Sequence, residues 1–500
     1  MSRSAARSVS WAVWITILTL AVVFFSGSSS EALASGRSDW IGDSASGQGA
    51  SVALCRYGVD AIGSMDTYPV EDLRIGWYVD FGLGGTSLGS GSVEYMPMIR
   101  LKKSILGEYM IVNTTLEAVA AEAAVNPGQT WIIGNEPDSP YQDKLEAELY
   151  AEAYHDLYYA IKSADPTAQI ATAGVVQPTP VRLYYLDLVL ESYLQAYGEP
   201  MPVDVWNIHV YILRERNCDV YWWDCWGAEI PPGIDWPEGE LYSIDDNANP
   251  EVFRGLVQDF RDWMASRGYR DRPLIITEFG VQMPADVGSG FPPDLVNAFM
   301  DDTFDFLASA SGPNGYPADG NRLVQRWAWW SLQRPPEVGA SNGWLYDPGT
   351  PPVRTVFGDN YAGNTAQVQP NANLFPVQVW TEPPVIFSPT DPVMVTLFAK
   401  IANDGEVSMA GTSIARFYHG VAPDASEQIG PDLILPDLSG CGDSTVISVT
   451  LSNLTSGAHP VYVIVDPDGV ITESNEDDNV MARVVFVNPH RVFLPLVSRD

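Results

Sequence analysis

Between residues 53 and 365 the chain returns eight times to one pattern: a short run rich in apolar, β-branched and aromatic residues, then a turn, a loop or an amphipathic segment. The runs are CRYGVDAI (55–62), IGWYVDF (75–81), VEYMPMIRL (93–101), TWIIGNE (130–136), QIATAGVV (169–176), VDVWNIHVY (203–211), PLIITEFGV (273–281) and VQRWAWWSL (324–332). Between several of them lie TLEAVAAEAA (115–124), KLEAELYAEAYHDLYYAIKSA (144–164) and NPEVFRGLVQDFRDWMASRG (249–268). Apolar positions there recur at three- and four-residue spacing, as at Leu145, Leu149, Ala153 and Leu157, which is the period of a helix with one buried face. Strands that alternate with helices cross over and run parallel. Eight such units predict an α/β fold, a (β/α)8 TIM barrel rather than an open sheet, over residues 53–365.

A chain of 500 residues exceeds what one core usually supports, so a second domain is expected. The stretch NTAQVQPNANLFPVQVW (364–380) is polar and helix-poor, and a linker is placed at 366–380. Beyond it VMVTLFAKIAN, GTSIARFYHG, STVISVTLSN and PVYVIVDPDGVI alternate apolar and polar residues between turns. That pattern predicts a smaller all-β, Ig-like sandwich over 381–488. The closing tail, 489–500, fits a last strand or a surface-attachment signal equally. The Gly-rich FGLGGTSLGSGS (81–92) opens no helix, which excludes a dinucleotide-binding fingerprint.

Arg3 and Arg7, the apolar run WAVWITILTLAVVFF (11–25) and the small residues of ALAS form an n-region, an h-region and a cleavage site after Ala34. The run is shorter than a membrane-spanning helix needs. A signal peptide at 1–34 and a secreted or cell-surface protein are expected. A formal net charge of −36 would repel nucleic acid and anionic membrane. Four cysteines are present. Cys218 and Cys225 bracket a short loop and are expected to bond in an oxidising compartment, because no further Cys or His pair completes a metal ligand set. Whether Cys55 and Cys441 pair is left open. Neither cofactor nor metal is called for. The acidic ESNEDDN turn (473–479), with Glu473, Glu476, Asp477 and Asp478, lacks EF-hand spacing and reads as a solvated hairpin.

Two of the eight runs lead from apolar residues straight into a glutamate: Glu136 in TWIIGNEPD and Glu278 in PLIITEFGV. In a parallel barrel all strand C-termini face one rim, so these carboxyls would meet there. Cleavage of a glycosidic bond needs such a pair, one group protonated to donate to the leaving oxygen and one ionised to attack or to activate water. Chemistry alone does not say which is which.

GNEP and TEFG resemble the strand-4 and strand-7 signatures of the clan A glycoside hydrolases, (β/α)8 barrels that retain anomeric configuration. With the WY of the second run and GWLYDPGT, the likeness is strongest to the glucanase-like catalytic-core proteins of that clan, over roughly 53–365. The resemblance implies that Glu136 is the acid/base, Glu278 the nucleophile and Asn135 a ligand of the sugar 2-hydroxyl. It places His209 and Tyr211 at the strand-6 end and a Trp platform, Trp330 with Trp329 as the fallback, at the strand-8 end. Arg100 is the candidate for an arginine many members carry near an early strand end. Trp77 is either a further sugar platform or core packing. The loop 212–247, rich in Trp, fits pyranose faces. ANDGEVSMAGTSIARFYHG and VYVIVDPDGVITESNEDDN resemble the CARDB domain, which implies attachment at a cell surface. The expected function is a secreted retaining hydrolase of β-linked polysaccharide; the alternative is a non-catalytic carbohydrate-binding or adhesion protein on a degenerate barrel.

Overall fold

The computed structural model describes residues 52–489, apart from 63, 66, 86–92, 335–341 and 421–426. The expected signal peptide (1–34) and all but the first residue of the expected tail lie outside the described residues. No helix among the described residues is long and apolar enough to cross a membrane.

Each of the eight runs contains a strand: β1 (Leu54–Asp60), β2 (Ile75–Val79), β3 in two pieces (Glu94–Tyr95 and Met98–Ile99), β4 (Thr130–Ile133), β5 (Gln169–Thr172), β6 (Trp206–Val210), β7 (Leu274–Phe279) and β8 (Arg326–Trp329). All their pairings are parallel. β1 lies between β2 and β8, β8 pairs with β7, and β7 pairs with β6. The first piece of β3 pairs with β2, its second piece with β4, and β4 with β5. Parallel bridges Ala171↔Val205 and Val175↔Ile208 bring β5 to β6.

The connections are α1 (Leu116–Val125), α2 (Ala147–Ala164), α3 (Pro180–Tyr197), α4 (Pro250–Ser266), α5 (Pro293–Ser309) and α6 (Val356–Ala366). α3, α5 and α6 were not singled out in the sequence. In α3 partly buried Leu183, Leu188 and Leu190 flank buried Val181, Leu186 and Val189, so the apolar stripe is too wide to show a period. Proline at the first helical position starts α3, α4 and α5, where its missing N–H costs nothing.

Period-two alternation sorts the strand residues. Trp77, Met98, Ile132, Ala171, Ile275 and Ala328 gather in one inner cluster, and neighbours such as Trp131, Trp206 and Ile276 pack with the helices. Trp77 is therefore core, not a sugar platform. It is fully buried, its Nε1 donates to the Arg56 carbonyl at 3.3 Å, and it lies so close over Gly58 that a Cβ there would meet the indole at 2.4 Å.

The C-terminal region is a sandwich of two antiparallel sheets. One holds β9 (Leu374–Thr381), β10 (Val393–Asn403) and β13 (Asp443–Leu454), and the other β11 (Ile414–His419), β12 (Gln428–Ile434), β14 (Gly457–Val465) and β15 (Val480–Val487). The expected linker is corrected here. Its first residue ends α6, and residues 374–381 form β9, paired along their length with β10. A register shift between Pro376 and Gln378 breaks the alternation that would have revealed a strand.

The sandwich is tied to the N-terminal end of β1. Cys55 bonds Cys441 across 386 residues, and the Cys55 amide donates to the Glu406 carbonyl at 3.0 Å. Beside it the fully buried Arg56 guanidinium reaches both oxygens of Asp319 at 2.7 and 2.8 Å and Glu406 Oε1 at 2.7 Å.

Candidate active site

Strict alternation along β7 would turn Glu278 outward, since Ile275 faces the interior and Ile276 the helices. The pairing with β6 shifts between Ile276 and Glu278, and the pairing with β8 shifts between Ile276 and Phe279. This bulge resets the phase: Phe279 packs on Phe253 of α4, and Glu278 turns inward opposite His209. Thr277, at the bulge, donates its hydroxyl to Asn207 Oδ1 at 2.9 Å.

Glu136 follows β4 with φ at +45°, a left-handed conformation that costs a non-glycine residue about 1 kcal/mol or more. Its surroundings hold it there. The Glu136 amide donates to Gly174 O at 3.0 Å, and the Asn135 amide donates to Asp143 Oδ2 at 2.8 Å. Arg100 braces Asp143 at 2.7 Å and Gln142 at 2.9 Å, which makes it a support of the loop behind Glu136. Buried Arg182 joins Asp138 at 2.7 Å to Glu215 at 2.9 Å, tying the loops after β4 and β6 to the start of α3.

Asn207, His209 and Tyr211 share the inward face of β6 and its extension, as period two predicts. The His209 ring lies over Gly174, where a Cβ would come within 2.3 Å of it. His209 Nδ1 stands 3.0 Å from Glu136 Oε1 and 3.6 Å from Glu278 Oε2, and the Tyr211 hydroxyl donates to Glu278 Oε2 at 2.8 Å. One oxygen of each glutamate and a His209 nitrogen all lie within 4.8 Å of one another. Trp330 takes the inward phase of β8, edge-on to Phe81 at 5.7 Å, whereas Trp327 and Trp329 pack outward on Phe304.

Burial, offset in part by His209 and Tyr211 and reinforced by Glu136, pushes the Glu278 carboxyl up to about 7. Burial disfavours charge on His209, but Glu278 and Glu136 outweigh it and raise the imidazole above its ordinary range. The three groups also offer one ligand atom each to a cation; the direct His209–Glu136 contact is that of a hydrogen-bonded pair.

A further residue, absent from the sequence-based candidates, belongs to this layer. Asp60 ends β1, is fully buried, and neither carboxyl oxygen has a partner among the described residues. Burial and then Glu278 push it well above the usual carboxylate range. The signal was available: Arg56, Gly58 and Asp60 alternate with Tyr57 and Val59, so a carboxyl at a strand end already pointed inward. Glu278 Oε1, Asn135 Oδ1 and Trp330 Nε1 also lack partners among the described residues. Such a concentration of buried polar atoms marks a place built for a polar ligand.

Further out, Cys218 and Cys225 are bonded as expected. Trp222 and Trp223 on that loop are exposed, Trp226 lies under Arg214, and Trp236 stacks on Tyr184.

Residues 385–483 match the CARDB family model. No curated protein matches the chain. Among solved structures, a GH128 (subgroup II) endo-β-1,3-glucanase from Pseudomonas viridiflava aligns with TM-score 0.41 and 15% identity, over 62% of this chain and 97% of that one. A GH128 (subgroup I) endo-β-1,3-glucanase from Amycolatopsis mediterranei, in complex with laminaritriose, aligns with TM-score 0.38 and 18% identity, over 62% and 98%. The CARDB region aligns with a CARDB domain from Pyrococcus furiosus in complex with di-metal ions, at TM-score 0.20 and 16% identity, over 24% of this chain and 97% of that one. Likeness of that degree transfers no activity, so chemistry is assigned from the side chains themselves.

Proposed function

We propose that this chain is an exported glycoside hydrolase that cleaves β-linked polysaccharide with retention of configuration, on a closed (β/α)8 barrel. Closure is supported by two joins. The bridges at Ala171 and Val175 link β5 to β6, and the two pieces of β3 pair with β2 on one side and β4 on the other. Export is supported by the charged and apolar N-terminal segment, and surface attachment by the CARDB match.

The observation that carries the catalytic reading is the glutamate pair: carboxyl oxygens within 4.8 Å, each with its own partner on β6 or its extension. The short separation suits double displacement, for which carboxyl groups about 5–5.5 Å apart are typical, and leaves no room for the water an inverting site places between them. Tyr211 holds Glu278 Oε2, leaving Oε1 free to attack the anomeric carbon. Glu136 gives a proton to the leaving oxygen, then takes one from the water that hydrolyses the glycosyl ester. Below about pH 7 burial keeps a proton on Glu278 in the free site, and Glu278 has to lose it before it can attack. His209 Nδ1 lies within reach of both groups. Asn135 meets the sugar 2-hydroxyl, a contact that strengthens in the transition state.

The test begins with β-1,3- and β-1,4-glucans, xylan, mannan and galactan, with product configuration read by NMR. Retention supports the reading, and inversion or binding without cleavage overturns it. With an activated aryl glycoside, azide should restore turnover to Glu136→Ala and give a retained glycosyl azide. With Glu278→Ala azide should give the inverted product. The opposite pairing of products would reverse the two roles.

A further inference from the structure

Buried carboxyls elsewhere in the barrel region are each matched. Asp143 accepts from Arg100 and two backbone amides, Asp138 from Arg182 and the Val176 amide, and Asp319 from Arg56. Asp60 has no such side-chain partner among the described residues; its main-chain carbonyl accepts from the Leu332 amide at 2.8 Å. A fully buried carboxyl with two unpartnered oxygens destabilises the fold if nothing ever binds it. A purely structural role would have supplied a donor.

Its position narrows what the donor is. Asp60 lies two residues beyond Gly58, the glycine covered by Trp77, on the inward face of β1, and the charge that acts on it is that of Glu278. Glu278 itself responds to Glu136. The Tyr211 hydroxyl senses Glu278, Asp60 and Glu136. β8 alone separates β1 from β7, whereas β4 lies beyond β5 and β6 on the other side of β7. Asp60 and Glu136 therefore flank Glu278 from opposite sides. A sugar with its anomeric carbon over Glu278 and its leaving oxygen at Glu136 extends its remaining ring carbons toward Asp60.

We propose that Asp60 is a specificity-determining residue that holds hydroxyls of the sugar unit seated over Glu278, on the side away from the bond being cleaved. The proposal rests on the glycoside hydrolase reading. A carboxyl with both oxygens free suits two hydroxyl donors on adjacent carbons.

The experiment measures kcat/KM of wild type, Asp60→Ala and the near-isosteric Asp60→Asn on aryl β-glycosides of the sugar selected by the polysaccharide panel. A parallel set of substrates lacks one hydroxyl at a time. A site built to bond a hydroxyl rejects the deoxy analogue strongly, so wild type should lose roughly 10²-fold or more on one or two of them. Asp60→Ala should lose a similar factor on the parent sugar and little further on those same deoxy substrates. Losses that multiply at every position, or a parent rate kept within about threefold in both variants, overturn the proposal while wild-type turnover keeps the hydrolase reading. A wild type that neither cleaves these sugars nor binds them calorimetrically overturns both. Thermal melting of both variants confirms that folded protein is compared.

Discussion

The two ends of the parallel strands bury charge in opposite ways. At the N-terminal end Arg56 is enclosed, yet Asp319 and Glu406 meet its guanidinium and keep it charged against burial. At the C-terminal end Asp60 and Glu278 are buried beside each other, with Glu136 close by and several oxygens without a protein partner. The first arrangement joins two domains and makes no demand on a ligand. The second raises carboxyl pKa values and leaves polar atoms directed at whatever binds. Matched buried charge reads as architecture, and mismatched buried charge reads as function.

That contrast can be broken at either end. The largest expected effect is at the matched end. Arg56→Met takes the guanidinium from Glu406 and leaves buried Asp319 with only Arg322 and Gln325, and it should cost about 3–5 kcal/mol in urea unfolding, with kcat/KM of the folded protein nearly unchanged. A large loss of activity at full foldedness would show that the two ends are not independent.

Next is the Cys55–Cys441 bond, which closes a loop of 386 residues. Replacing both by serine should cost about 2–4 kcal/mol, because a long loop regains much freedom in the unfolded chain. Activity should survive, and limited proteolysis should release the CARDB region faster.

The smallest effect has the opposite sign. Glu278 rises from an ordinary 4.5 to about 7 in the folded protein, so the folded state binds the proton more tightly than the unfolded state. The resulting stability is complete below pH 4.5 and is lost as pH rises through 7. Glu278→Gln removes that dependence. Its melting temperature should exceed that of wild type at pH 8 and converge on it toward pH 4.5. The gain at pH 8 should be on the order of 1–2 kcal/mol, since the weaker Tyr211 hydrogen bond offsets part of the ~1.4 kcal/mol per pKa unit. A variant less stable than wild type at pH 8 would mean that Glu278 is matched after all.

The strand periods, the alternation of strand with helix and the two glutamates at strand ends were legible without coordinates, because each is a local pattern with a fixed geometric meaning. So was the short disulfide, which eight residues of chain bring together. Three things were not. The strand at 374–381 was hidden by its own register shift, and only the ladder with β10 reveals it. Trp77 carries the composition of a platform, but which layer of the interior it fills depends on Gly58 opposite it. Asp60 was visible as an inward carboxyl, yet its neighbour Glu278 is more than 200 residues away in the chain.

The sequence by itself determined which residues face inward along most strands, since side chains on a strand alternate whatever the partner. It determined that Cys218 and Cys225 are close, and that two acidic groups end parallel strands. Tertiary structure alone decided that Glu278 faces inward, because a bulge in β7 shows only against its neighbours β6 and β8. It also decided that Cys55 finds Cys441, that Arg56 is neutralised from another domain, and that Asp60 is not neutralised at all. The physical reason is the same in each case: a charge is stabilised or left exposed to its neighbours by groups that only folding brings within a few ångströms.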